Sequence, residues 1–188
     1  MNIDKIKEYL RSNLSRNRYE HSLRVADVSR ELAIVYGENE NDAYVAGLLH
    51  DIAKEYDDEL NRELVDKYNL DSSLLDNSNR SIIHSFVGAE VAKELFEVSD
   101  IIYRSIKYHN LGSIEMGTLE RIVFVADKIE PNKNYTGIDE EREMAFKDID
   151  KAFIMCLINR KKERESMGKS FNKISQEVLD YFLKLEDK

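Results

Sequence analysis

The segment AGLLHDIAK, residues 46–54, decides how the rest of the chain is read. With Ala43, Ala46, Leu49 and Ala53 on one stripe at helical spacing, it is a helix with a small, apolar face. That face carries an ionisable pair, His50-Asp51, where an unpaired carboxylate would be costly to bury. A cation would remove the cost. The dipeptide alone is weak evidence, because chance supplies about a third of one such pair in a chain of this composition. A second segment repeats the pattern more sharply. In RIVFVADKIEP, residues 121–131, five apolar residues precede Asp127, so this carboxylate faces an interior or a cleft and needs a partner. The partner is either a buried Arg or Lys, or a metal ion shared with His50-Asp51.

Outward from these segments the chain reads as helices. A single proline in 188 residues, with abundant Leu, Ile, Glu, Lys and Ala, favours them, and no strand alternation appears. The spacing predicts helices over 2–14, from 19 to the Gly37 stop with His21 in the first turn, through His50-Asp51, and over 57–68, 82–97, 99–109, 118–130, 139–165 and 172–186. DSSLLDNSNR (71–80), HNLGSIEMGT (109–118) and PNKNYTGID (131–139) read as loops. With no repeat or linker, one all-α domain over residues 1–188 is expected.

Composition narrows the function. Apolar residues at 42% and charged residues at 35% describe a chain that folds, not a disordered one. The net charge of −9 disfavours nucleic acid and anionic membrane as partners, which leaves a small or discrete ligand. The lone Cys156, in AFIMCLINR, reads as a buried structural thiol. No run is long enough for a secretory core or a membrane span, and a cytoplasmic protein is expected.

Only four histidines occur, and their order with the aspartates is more specific than any one of them: His21, His50-Asp51, His84, His109, Asp127, separated by 29, 33, 25 and 18 residues. Imidazole and carboxylate without thiolate suit iron, manganese or zinc. On this order and on RYEHSLRVAD, AGLLHDIAK, IIHSFVGAEVAKE, IKYHNLG and LERIVFVADKIEPNKNYTGIDEER, the chain resembles the HD superfamily of metal-dependent phosphohydrolases. Within it, the chain is similar to the YqeK-type symmetrical bis(5'-nucleosyl)-tetraphosphatase family. The resemblance implies an all-helical bundle with the metal site between helices, iron as the metal, and cleavage of diadenosine tetraphosphate into two ADP. It implies His21, His50, Asp51 and Asp127 as ligands of a first metal. His84 and His109 then hold either a second metal or the substrate phosphate, with Asp51 as bridge, so that Asp51, His84 and His109 act in catalysis while His21 and Asp127 also border the substrate. Arg18, Lys54 and Lys133 lie close in sequence to ligands and are candidates to neutralise a polyphosphate, with Arg80 and Arg142 as further ones and Asn172 as a base or ribose contact. Other readings are another HD nucleotide phosphatase or phosphodiesterase, a nucleotide-sensing module without turnover, and a purely structural helical protein. A monomer or a homodimer is expected.

Overall fold

The central helix is the one that carries Asp127: α7 (Thr118–Ile129) buries Ile122, Val123, Phe124, Val125 and Ala126 completely, because helices pack on it from several sides. The computed structural model describes residues 2–186, and among these it is all-helical. Around α7 lie α1 (Ile3–Asn13), α2 (Arg16–Tyr36), α3 (Glu40–Leu49), α4 (Asp58–Lys67), α5 (Ile83–Phe96), α6 (Asp100–Tyr108), α8 (Ile138–Ala145), α9 (Ile149–Ser166) and α10 (Lys173–Glu186). Contacts of α7 run to α2, α3, α6, α8 and α9, while α10 reaches the core through α9. Phe124 of α7, Phe153 of α9 and Phe182 of α10 stack edge to face at 4.7 and 5.1 Å, tying the C-terminal helices to the centre.

The α2–α3 contact sets the site. Gly47 lets the two backbones touch, since a Cβ there would stand 2.7 Å from the Ala26 Cα and 2.9 Å from its nitrogen. Three residues beyond Gly47 is His50, and five before Ala26 is His21, so this close approach brings the two imidazoles together.

Four expectations are corrected. The helix expected over 139–165 is two, α8 and α9, broken at Phe146–Asp148, where the Asp148 carboxylate caps α9 by accepting from the backbone N–H groups of Asp150 and Lys151. His50 and Asp51 do not lie inside a helix. Leu49 ends α3, His50 is its cap residue, and a tight turn closed by bonds such as Ile52 N–H to the Leu49 carbonyl carries Asp51. α2 begins at Arg16, which moves His21 to the second turn. The 71–80 loop contains two short 3-10 turns, Ser72–Leu75 and Asn77–Asn79.

Candidate metal centre

Six side chains from five helices and one turn converge on a single spot. His21 comes from α2, His50 from the end of α3, Asp51 from the turn after it, His84 from the start of α5, His109 from the end of α6 and Asp127 from α7. They form two histidine pairs. The Nε2 atoms of His21 and His50 are 3.3 Å apart, and those of His84 and His109 are 3.2 Å apart. Asp51 straddles the pairs, with Oδ2 3.4 Å from His50 Nε2 and 3.8 Å from His21 Nε2, and Oδ1 3.2 Å from His84 Nε2 and 3.7 Å from His109 Nε2. Asp127 closes the first pair, its Oδ1 lying 3.1 Å from His21 Nε2 and 3.8 Å from His50 Nε2.

Hydrogen-bond partners behind the imidazoles assign their tautomers. His50 Nδ1 donates to the Gly47 carbonyl at 2.7 Å and His109 Nδ1 to the Ile106 carbonyl at 2.7 Å, in each case three residues back on the helix the histidine ends. His21 Nδ1 faces Glu130 Oε1 at 3.2 Å, and Glu130 is itself held by Arg24 at 2.6 Å and by the Asn132 backbone N–H at 2.9 Å. With Nδ1 turned to these partners, the rings aim Nε2 at one another and at carboxylate oxygens. Lone pairs facing lone pairs repel, and a divalent cation placed among them turns the repulsion into coordination. The donor set therefore fits a divalent metal. Two groups come within coordination reach of a common point: His21, His50 and Asp127, and His50, Asp51 and His109, each with ligand atoms within 4.8 Å of one another.

Positive side chains crowd the same carboxylates. Arg18 Nη1 is 2.7 Å from Asp51 Oδ2, Lys54 Nζ is 3.9 Å from Asp51 Oδ1 and 3.2 Å from His84 Nε2, and Asp127 is paired with Lys128 Nζ at Oδ2 and stands 3.8 Å from Lys133 Nζ at Oδ1. Asp127 thus has a lysine partner and also stands among side chains that could hold a metal ion. Burial pushes both carboxyls upward, but His50 beside Asp51 and Lys128 beside Asp127 win and hold them well below the ordinary range. Burial lowers Lys54, Lys128 and His84, and takes His109 down to about 3, favouring its neutral, lone-pair-bearing form. His50 goes the other way, because Asp51 outweighs the effect of its complete burial.

Three of the sequence-derived candidates are employed elsewhere. Arg80 forms an exposed ion pair with Asp58. Arg142 donates to the carbonyls of Ile129, Glu130, Pro131 and Lys133, stapling the loop that carries Lys133. Asn172 accepts from the Ile174 backbone N–H at 2.9 Å and caps α10. Sequence reasoning missed Glu130, Arg24, Lys128 and Arg160. Arg160 on α9 donates to the carbonyl and side-chain oxygens of Asn110, the neighbour of His109, and its only sequence signal is a cation ending an apolar helical run. Beside Asp127 opens a cavity of about 820 Å³, walled by Lys128, Lys133, Tyr135, Glu141, Asn159 and Arg160 among others. Its volume is that of a nucleotide-sized site.

The model of the HD domain family matches residues 18–132, which spans all six converging side chains. A Staphylococcus aureus protein named symmetrical bis(5'-nucleosyl)-tetraphosphatase is 37% identical over 149 residues, covering 78% of this chain and 75% of its own length. A Bacillus subtilis protein of the same name is 32% identical, covering 85% of this chain and 86% of its own length. A crystal structure from Clostridium acetobutylicum, described as an HD superfamily hydrolase involved in NAD metabolism, superposes with a TM-score of 0.90 at 33% identity over 98% of both chains. Geometry and kinship agree, and the chain belongs to the HD domain family, among the relatives of the symmetrical bis(5'-nucleosyl)-tetraphosphatases.

Proposed function

We propose that this protein is a metal-dependent hydrolase that cleaves diadenosine tetraphosphate at its centre into two ADP. One observation carries the reading: Asp51 straddles two histidine pairs with cations on its outer side, in a chain 31–37% identical over most of its length to proteins named for that activity. His21, His50, Asp51 and Asp127 would hold a first divalent ion. His84 and His109, with Asp51 shared, would hold a second or receive a phosphate. Iron is the metal proposed, with manganese and zinc compatible with the same donors. Such an ion polarises a phosphoryl oxygen and lowers the pKa of bound water.

The chain's own groups do the rest. Arg18, with its planar fork against Asp51, and Lys54, between Asp51 and His84, can turn from carboxylate to phosphate when a polyphosphate enters. Lys133 does the same at the Asp127 side. His84, lowered by burial, is neutral at physiological pH and accepts a hydrogen bond from Lys54 or from substrate. The acidic surface elsewhere keeps nucleic acid and anionic membrane away, and no helix among the described residues is long and apolar enough to cross a membrane. A single-domain cytoplasmic enzyme, monomer or homodimer, acting on a small nucleotide accords with this.

The test is early-time chromatography of products from diadenosine tetraphosphate, with metal analysis of anaerobically purified protein. ADP as sole nucleotide product and bound iron are expected. Equal ATP and AMP would overturn central cleavage, and protein free of any transition metal would overturn the metal assignment.

A further inference from the structure

The cavity beside Asp127 joins cationic side chains to a hydrogen-bonded cluster around one buried carboxylate. Lys128, Lys133 and Arg160 line it, and its wall also contains Tyr135, Glu141, Cys156 and Asn159, with the Tyr135 hydroxyl 3.3 Å from the Lys128 carbonyl. Glu141 is fully buried, and within the described residues it takes only neutral donors: the Tyr135 hydroxyl, the Cys156 thiol at 3.4 Å and Asn159 Nδ2 at 2.7 Å. A carboxylate oxygen that accepts from Asn159 fixes which way its amide faces, because only the NH₂ side can donate. The amide therefore turns one N–H to Glu141 and keeps its second N–H and its Oδ1 for another partner. No bond to that Oδ1 occurs within the described residues, and the residue is half-buried in the cavity wall. Gly137, at φ +93°, makes room for this arrangement, since a Cβ there would lie 3.3 Å from Asn159 Nδ2.

We propose that Asn159 is a specificity-determining residue that reads the amino edge of an adenine whose phosphates meet Lys128, Lys133 and Arg160 in the same cavity. An acceptor beside a donor on one planar amide is the complement of the adenine 6-amino group and its adjacent ring nitrogen. Guanine puts a carbonyl where the amino group would be, so its O6 would face Oδ1, acceptor against acceptor. Glu141 is the positioning residue behind the contact. Asn172, the base contact expected from the sequence, is occupied in capping α10. This assignment rests on the hydrolase reading for its substrate, but not for its geometry.

Specificity constants for diadenosine and diguanosine tetraphosphate test it in the wild type, Asn159→Ala, Asn159→Ser and Glu141→Gln, with circular dichroism and metal content as checks of the fold. Wild type should prefer adenine, and both Asn159 variants should lose about tenfold of that preference. Glu141→Gln should lose part of it, because a glutamine donates as well as accepts and no longer dictates the amide's orientation. A merely structural role would lower both constants together and leave their ratio unchanged, and that result, or a wild type without adenine preference, overturns the assignment. If wild type turns over neither substrate, the hydrolase reading fails and calorimetry with ADP and GDP decides this one. ADP should then bind more tightly than GDP to wild type, and equally to Asn159→Ala.

Discussion

The metal centre and the wall of the cavity beside it both bury carboxylates, and they satisfy them by opposite means. Asp51 and Asp127 sit among imidazoles and cations, with Arg18, Lys54, Lys128 and Lys133 all in reach. Glu141, more deeply buried, accepts from a phenol, a thiol and an amide. The first arrangement is exchangeable, because a divalent ion or a phosphate can replace the partners that are there. The second is fixed, because neutral donors offer nothing for an incoming charge to displace, and what it fixes is orientation. Charge is handled at the histidine–aspartate cluster, and orientation at Glu141.

The contrast breaks first at Asp51. Asp51→Asn removes the group shared by both histidine pairs while keeping its volume, so most metal should be lost and hydrolysis should fall by about a thousandfold. Helical circular dichroism should stay close to wild type. Normal metal content and rate in this variant would place the reaction elsewhere.

Glu130 tests the layer behind the ligands. It orients His21 through Nδ1 at 3.2 Å while touching no part of the pocket's reacting face. Glu130→Gln should weaken metal affinity about 10- to 100-fold, the ordinary effect of removing a carboxylate behind a ligating histidine. Activity restored by excess metal would distinguish this from loss of a catalytic group, and wild-type metal affinity, measured by competition with a chelator, would show that Glu130 does not set the tautomer.

How much of this could be read from the chain varied with the physics. Asp51 and Asp127 were legible as carboxylates in apolar runs that need a partner, whereas the four histidines joined them only through their order along the chain and the family resemblance. Glu130 was not, since it lies 109 residues from the histidine it orients and nothing local distinguishes it from a solvated acid before a proline. Nor were the carbonyls of Gly47 and Ile106, which carry no side-chain signal at all. The end of α3 at Leu49 lacks a glycine or proline, so termination there is a tertiary effect. The break between α8 and α9 did have a signal in Asp148. It was masked by the helix-forming run through Met144 and Ala145 that precedes it.

Gly47 connects packing to chemistry. Alanine is the better helix former by about 1 kcal/mol, yet its methyl would meet the Ala26 backbone at 2.7 Å. Gly47→Ala should therefore destabilise the fold by about 1–3 kcal/mol, as overpacking does, and push His50 away from His21. Denaturant unfolding measures the first and metal affinity the second. A stabilised variant would mean that α2 and α3 are not in backbone contact.

Lys133 probes the exchangeable arrangement more gently. It stands 3.8 Å from Asp127 and half in solvent, on a loop stapled by Arg142. Lys133→Ala should raise the Michaelis constant about tenfold, the scale of one charge-assisted contact, with a smaller fall in turnover number. The reverse split would make Lys133 a transition-state group and not a ground-state phosphate anchor.

The smallest effect is expected at Arg80, and it sharpens the comparison because the residue is a cation four positions before His84. Proximity in sequence puts it among the phosphate-binding candidates, whereas its guanidinium lies 2.7 Å from Asp58 with 68% and 66% of the two side chains exposed. Exposed pairs of this kind contribute about 0–1 kcal/mol, and screening by salt reduces that further. Substrate binding gains from a cation only where desolvation makes its charge felt, as at Lys54 and Lys128, both lowered by burial. Arg80→Ala should then leave kcat/KM within about twofold of wild type at physiological salt, and melting should shift by no more than a few degrees. Steady-state kinetics at low and high salt make the decisive measurement. A Michaelis constant raised about tenfold or more at both would show that Arg80 leaves Asp58 for the polyphosphate, and that the cationic part of the site extends past α5 to the 3-10 turns.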